Sequence, residues 1–232
     1  MGLTRSSVGL RASETPKARP GADGTVALAG NPNVGKSTVF NALTGGNQHT
    51  GNWPGKTVEC AEGTFHAGGC EYRLVDLPGA YSLSARSAEE ECARDFLCFS
   101  SPDAAVVVCD AECLERNLNL VLQTMEILPR VAVCVNLMDE ARRRGVKVDL
   151  ALISQRLGVP VVGTAARSRA GLSALTAAVS ETVKGPARRF APVRYPDCVE
   201  NAARLLERAV SPYCGCISPR WLSLRLLSMD ED

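Results

Sequence analysis

The sequence predicts an α/β fold, a mostly parallel sheet between two helical layers, followed by a small all-α domain. Three observations predict it. Strand-like and helix-like segments alternate from residue 25 to about residue 184, as in a parallel sheet whose crossovers are helices. Residues 104–109 (AAVVVC), 131–135 (VAVCV) and 159–162 are apolar runs, as central strands covered on both faces require. Finally, Gly30-Asn-Pro-Asn-Val-Gly-Lys36-Ser37 has the pattern G-x-x-x-x-G-K-[ST] at the junction of the first strand and the first helix.

Residues 25–29 (TVALA) form a short β-prone run, and residues 36–43 place Val39, Phe40 and Leu43 at helical spacing. That strand-loop-helix context makes the pattern a phosphate loop. Its glycines turn backbone N–H groups inward, Lys36 reaches outer phosphates and the Ser37 hydroxyl suits Mg²⁺. Gly30, Asn31, Pro32, Asn33, Val34, Gly35, Lys36, Ser37 and Thr38 are therefore expected to cradle a nucleoside triphosphate, within a P-loop NTPase three-layer sandwich. Residues 57–65 and 70–74, joined through Ala67-Gly68-Gly69, read as a hairpin that sets one antiparallel edge on the sheet. Ser87 with Glu90 reads as a capping box opening a helix over 88–99, and 114–128 is a long amphipathic helix.

Composition changes at Gly185-Pro186, Pro192 and Pro196 follow, and only helical patterns come after. The expected division is a disordered leader over 1–24, a nucleotide domain over 25–185 and a helical domain over 186–232. Asp197 is expected to cap a helix over 198–210, and Ser218-Pro219 to open another over 221–229. Trp221, Leu222, Leu224, Leu226 and Leu227 make that last helix broadly apolar. It needs a partner surface, either on the nucleotide domain or beyond the end of this chain.

At 232 residues and 45% hydrophobic content the chain can form a core. A formal charge of +1 gives no global field for nucleic acid or an anionic membrane, and Arg142-Arg143-Arg144 reads as solvated charge at a helix end. No nucleic-acid partner is expected. The ten cysteines are sparser than in a disulfide scaffold, and Cys109 and Cys134 sit in apolar runs, as buried thiols do. Cys109-x-x-x-Cys113 and Cys214-x-Cys216 lack a second C-x-x-C, and only His49 and His66 are present to complete a zinc set. No apolar run reaches the ~18 residues of a membrane span, and the N-terminus lacks a signal-peptide core. The chain as given is expected to be soluble.

Downstream, Asp76-Leu77-Pro78-Gly79 ends a strand, where a carboxylate can hold Mg²⁺ through water and the Gly79 N–H can meet a γ-phosphate. Asn136-Leu137-Met138-Asp139 follows the strand 131–135, at the edge where open α/β sheets bind ligands. An aspartate there can accept from guanine N1–H and the 2-amino group, neither of which adenine offers. Leaving a charged acceptor unpaired costs about 2–3 kcal/mol, a factor of tens to hundreds against ATP.

With Thr57 as a switch threonine between them, these motifs resemble the translation-factor-related class of P-loop GTPases in order and spacing. That resemblance puts Thr164, Ala165 and Ala166 in the last guanine-contacting loop, with the Ala166 N–H aimed at guanine O6. Ala165 stands where that class has serine, a departure expected to loosen the loop and speed GDP loss.

The stretch Gly51-Asn-Trp53-Pro-Gly-Lys-Thr57-Val-Glu59 resembles the first switch of the FeoB family of ferrous iron transporters. So do Asp76-Leu-Pro-Gly-Ala-Tyr-Ser-Leu-Ser84, Glu89-Glu-Glu-Cys-Ala-Arg-Asp95, Leu114-Glu-Arg-Asn-Leu118 and Arg220-Trp-Leu-Ser-Leu-Arg-Leu-Leu227, in collinear order from about residue 26 to the end. The resemblance implies a GTPase domain fused to a GDI-like helical domain that stabilises bound GDP. It implies a place on the cytoplasmic face of the bacterial inner membrane, with the transporter's own Fe²⁺-carrying membrane domain as partner; homo-oligomerisation is left open. It also implies K⁺ held by the Asn33 side chain and the Gly51 and Trp53 carbonyls, and Thr57 on Mg²⁺ once GTP orders the switch.

The catalytic expectation rests on Asn33, Lys36, Thr57 and Gly79. Ala80 stands where small GTPases often carry a water-orienting glutamine, and an arginine finger, which contributes ~10³ to 10⁵ in rate, is missing. Slow hydrolysis follows unless another cation neutralises the phosphates. Two alternatives stay open: a ribosome or tRNA-maturation GTPase, and a nucleotide-dependent interaction module with negligible hydrolysis.

Overall fold

A computed structural model describes residues 22–46, 48–53, 57–84, 86–187 and 193–228. The leader expected over 1–24 lies almost wholly outside these residues, as do Pro192 and the final residue of the helix expected over 221–229. Seven strands form one sheet: β1 (Gly24–Gly30), β2 (Gln48–Asn52), β3 (Glu59–Ala67), β4 (Cys70–Asp76), β5 (Ala104–Asp110), β6 (Val131–Asn136) and β7 (Val161–Gly163). The helices are α1 (Lys36–Thr44), α2 (Ala88–Phe99), α3 (Leu114–Ile127), α4 (Met138–Arg143), α5 (Leu150–Leu157), α6 (Leu172–Lys184), α7 (Asp197–Val210) and α8 (Pro219–Leu227).

The strand order is β2-β3-β4-β1-β5-β6-β7. β4, β1, β5, β6 and β7 run parallel, and β3 runs against both of its neighbours. The β3–β4 hairpin closes through Gly68 and Gly69 at φ of 56° and 77°, the left-handed geometry of a two-residue turn. β2 is absent from the sequence reading because its residues, QHTGN, carry no apolar alternation. An edge strand with one neighbour can be specified by its backbone ladder alone.

Side-chain alternation splits the core into two layers. Ala27, Ala29, Val75, Val107, Cys109 and Val133 face α2 and α3, whereas Val26, Leu28, Leu74, Val106, Val108 and Cys134 face α1 and α6. The apolar strands are buried on both sides because helices cover both. Burial pushes the Cys134 thiol up to about 12, which keeps it protonated and inert.

Helix starts agree with the sequence reading in part. Ser87 accepts from the Glu90 N–H at 3.2 Å, but the Glu90 carboxylate turns back to the N–H groups of Tyr81, Ser82 and Arg86 at 3.1–3.2 Å. Only half the capping box forms. Ser218 caps α8 from the Trp221 N–H at 3.3 Å. Asp197 does not cap α7: the chain enters through Pro196, Asp197 is the first helical residue, and its carboxylate meets Arg194 at 3.3 Å. The residue after a proline already held in an extended conformation continues directly into the helix.

α7 and α8 pack on each other, and α8 rests on α3. Ile217 and Trp221 dock against the core layer that α2 and α3 share, which supplies the partner surface that the last helix requires; Leu226 stays half exposed. Arg220 pairs with Glu200 at 3.0 Å, and this guanidinium, with the Tyr195 N–H, holds the Glu200 carboxyl down to about 2.

The Tyr195 hydroxyl donates to Glu126 of α3 at 3.3 Å. Burial raises the Glu126 carboxyl, opposed in part by Tyr195 and Arg220. A raised carboxyl contributes stability below its unfolded pKa and loses it as pH rises through the folded one. Glu126→Gln keeps an acceptor for Tyr195 and removes the charge, so this variant should gain stability over the parent as pH rises from 5 to 8. Urea midpoints measured across that range check this; a difference that shrinks with pH would contradict it.

Candidate functional site

The parallel strands end on one side of the sheet, so motifs far apart in sequence meet there. β1 runs into the phosphate loop, β4 ends on Asp76, β6 ends on Asn136 and β7 leads to Thr164. β1 and β4 are neighbours with Leu28 opposite Asp76. Leu77 N–H donates to the Leu28 carbonyl at 3.0 Å and Ala80 N–H to the Gly30 carbonyl at 3.2 Å, which sews D-x-x-G onto the phosphate loop. A Cβ on Gly79 would stand 3.2 Å from Pro32.

Lys36 Nζ pairs with Asp76 Oδ1, both side chains nearly buried. Burial raises the Asp76 carboxyl, and Lys36 opposes that shift. A cleft of about 550 Å³ beside the pair is lined by Lys36, Ser37, Thr57, Asp76, Leu77 and Pro78 among others. α1 starts at Lys36 with no side-chain cap on its first turn. Its free N–H groups and dipole therefore favour an anion there.

Asn136 is a knot rather than a surface reader. Buried, it donates from Nδ2 to the Val34 carbonyl at 3.1 Å and accepts at Oδ1 from Thr164 Oγ1 at 3.0 Å and Ala166 N–H at 3.1 Å. The phosphate loop, β6 and the 164–166 loop are thereby joined through one carboxamide. Gly35 is obligatory beside it: its φ is +78°, and a Cβ would lie 2.5 Å from Asn136 Nδ2.

Leu137 takes the left-handed conformation at φ 61°, Met138 N–H donates to the Thr164 carbonyl at 3.1 Å, and α4 begins. Asp139, in its first turn, has a side chain 48% exposed and faces Arg143 at 3.7 Å. Removing that carboxylate should leave the core untouched. Asp139→Ala is expected to cut the preference for GTP over ATP by about 10- to 100-fold without moving the thermal transition, measured by competition against a fluorescent guanine nucleotide. An unchanged preference would remove Asp139 from base recognition.

The Ala166 N–H lies in this knot. It is donated to Asn136 Oδ1, so a base carbonyl would have to share it. The loop around Ala165 is closed by Ala165 N–H to Ala170 O and Ser168 N–H to Ala165 O, both 3.0 Å, bonds that need no hydroxyl at position 165.

The switch residues are less gathered. Thr57 is exposed in a bend at the cleft, whereas Gly51 lies in β2 opposite Cys60. Trp53 is buried edge-on against Phe96 with ring centroids 5.6 Å apart, and its backbone N–H donates to the Val58 carbonyl at 2.8 Å. Asn33 is exposed at φ 66°. Neither Asn33, Gly51 nor Trp53 lines the cleft that gathers Lys36, Ser37, Thr57 and Asp76. Asn31 is only 2% exposed, and both polar atoms of its carboxamide are buried without a partner.

The donor set fits a triphosphate with a divalent cation. A lysine, a hydroxyl-bearing helix start and a carboxylate line one cleft, and the orphaned Asn31 carboxamide marks a loop with hydrogen bonds still to make. Two contributors escaped the sequence reading. Asn117 accepts from the Asp110 N–H at 2.6 Å, and Gln123 accepts from the Leu83 N–H at 2.6 Å. Both point off an amphipathic helix where a polar residue gives no sign of its partner; the buried Asn on the core side of α3 was the available signal.

The sheet order, the phosphate loop and the two further motifs at its carboxyl edge define a P-loop domain of the GTPase type. More narrowly, the chain belongs to the FeoB family: the family model described as ferrous iron transport protein B matches residues 24–179. It is 38% identical over 210 residues to the Fe(2+) transporter FeoB of Salmonella typhimurium, covering 89% of this chain and 27% of that protein. It is 36% identical over 215 residues to an Fe(2+) transport protein A/FeoB fusion protein of Porphyromonas gingivalis, covering 89% and 25%. The chain thus spans about a quarter of the length of these curated relatives.

Among solved structures, it superposes on the apo cytosolic domain of the T. maritima FeoB iron transporter with a TM-score of 0.84 at 38% identity, covering 89% of this chain and 81% of that one. The GMPPNP form of the same domain matches with a TM-score of 0.84 at 38% identity, covering 90% and 82%. Among the described residues no helix is long and apolar enough to cross a membrane.

Proposed function

We propose that this chain is the GTP-binding, slowly GTP-hydrolysing regulatory domain of a bacterial ferrous iron transporter, on the cytoplasmic side of the inner membrane. Residues 25–185 form its nucleotide domain and residues 186–232 its helical, GDI-like domain. The observation that carries this reading is the convergence of Lys36, Ser37, Thr57 and Asp76 on one cleft, with Asn136 tying that cleft to the N-x-x-D and 164–166 loops. The T. maritima FeoB cytosolic domain, of the same architecture, is known in GDP and GMPPNP forms, which supports a guanine nucleotide here.

Lys36 leaves Asp76 for the β- and γ-phosphates, and the released carboxylate, with the Ser37 and Thr57 hydroxyls, would hold Mg²⁺. The phosphate-loop N–H groups and the start of α1 bind the phosphates, and the Gly79 N–H meets the γ-phosphate. Asp139 reads the guanine edge, with the 164–166 loop beside it. Ala80 is buried and its N–H is committed to Gly30, so no side chain at this position orients the attacking water. Asn33 and the Gly51 and Trp53 carbonyls do not line that cleft here, and would hold K⁺ only once the switch closes on the nucleotide. Bound cations supply charge neutralisation at the phosphates. The slow step is then limited by how well the switch residues order around the site, and the transporter's own membrane domain receives the resulting change.

Phosphate release from GTP, measured in K⁺ and in Na⁺ at equal ionic strength, tests this. The expected result is a rate at least about tenfold higher in K⁺, lost in Asn33→Ala while GDP affinity holds. Equal rates in the two salts would overturn the K⁺ assignment. No turnover in either salt, with GTP tightly bound, would leave an interaction module that does not hydrolyse.

A further inference from the structure

α3 carries three polar side chains on one face. Arg116, Gln123 and Glu126 are spaced by seven and three residues, about two turns and then one. Arg116 stacks over the Tyr81 ring at 4.1 Å. Gln123 Oε1 accepts from the Leu83 N–H at 2.6 Å, and its carboxamide meets Ser82 Oγ at 3.3 Å. Glu126 accepts from the Tyr195 hydroxyl on the approach to α7. The same face therefore holds the segment that follows D-x-x-G at one end and the helical module at the other.

Between those ends lies a groove of about 390 Å³, lined by Leu83, Gln123, Glu126, Tyr195, Trp221 and Leu224 among others. From α3, Gln123 both bonds residues 82–83 and lines the groove against α8. Three residues separate Gly79 from Leu83, and the path is pinned at Ala80 to the phosphate loop and at Leu83 to Gln123. A shift of Gly79 toward a γ-phosphate thus pulls directly on a bond that also sets the wall under Trp221.

We infer that Gln123 is the positioning residue that couples the D-x-x-G segment to the seat of α8. It holds Leu83 and Ser82 so that their displacement reshapes the groove beneath the helical module. This rests on the nucleotide-binding reading above. Gln123→Ala frees the Leu83 N–H from α3 and uncouples the two ends, whereas Gln123→Glu keeps the acceptor and the coupling.

Hydrogen–deuterium exchange on the whole chain, with Mg²⁺ plus either GDP or GMPPNP, tests it. In the parent, amides over 219–228 are expected to exchange about threefold differently between the two nucleotides. In Gln123→Ala that ratio falls to about one while the phosphate loop stays protected by both nucleotides, and Gln123→Glu restores it. Equal exchange over 219–228 in the parent, with a protected phosphate loop, would overturn the coupling and leave nucleotide binding intact, whether or not the alanine variant folds. A ratio unchanged in Gln123→Ala would also overturn it. A phosphate loop unprotected by either nucleotide would instead bring down the nucleotide reading, and the coupling with it.

Discussion

Asn136→Ala is expected to lower the unfolding free energy by about 3 kcal/mol and to weaken guanine-nucleotide binding by more than about 100-fold. The carboxamide satisfies three buried groups at once, the Val34 carbonyl, Thr164 Oγ1 and Ala166 N–H. Alanine leaves all three in a dry pocket, each worth about 1 kcal/mol when unsatisfied. Thr164 retains Cys134 Sγ at 3.2 Å as an alternative, which keeps the estimate from rising further. Binding suffers more than stability because the phosphate loop and the 164–166 loop lose the group that fixes them relative to each other. Urea unfolding and nucleotide titration on the same preparation measure both. A stability loss without a binding loss would mean that the two loops hold their places independently.

The second large effect is expected for Lys36→Ala. Removing the ammonium should cost triphosphate affinity about 100-fold or more, since charge-assisted bonds to phosphate contribute about 1.5–3 kcal/mol each. The free protein should also lose about 1–3 kcal/mol, because Asp76 is left a nearly buried carboxylate without its cation. GDP affinity should fall less than GTP affinity, because the lysine reaches the outer phosphates. Titration of each nucleotide, beside a thermal unfolding scan, separates the two losses. Equal loss for GTP and GDP would place Lys36 on the inner phosphates only.

Much of this was legible in the chain because its signals are local and redundant. The phosphate loop announces itself by spacing, and the central strands by runs of valine and alanine buried on both faces. β2 was not legible, since QHTGN has no apolar period and is a strand only because β3 offers an open edge. Asp197 looked like a cap by residue type alone, yet Pro196 had already set the backbone that a cap would set. Glu90 looked like half of a capping box and instead gathers three N–H groups of the segment after D-x-x-G. A carboxylate takes whichever unpaired donors the neighbouring loop presents, and spacing along one helix does not report those.

The sequence by itself determined the sheet-and-helix alternation, the three nucleotide motifs, and the apolar last helix that demands a partner. These follow from short-range order: periodicity, glycine placement and side-chain chemistry act within one or two turns of chain. Only the tertiary structure decided that Asn136 knots three loops, that Trp221 docks on the layer shared by α2 and α3, and that Gln123 meets residues 82–83 on one side and the helical module on the other. Those contacts join residues 28 to about 100 positions apart. They exist because parallel strands bring their carboxyl ends to one edge and because α3 spans the distance from that edge to the helical module.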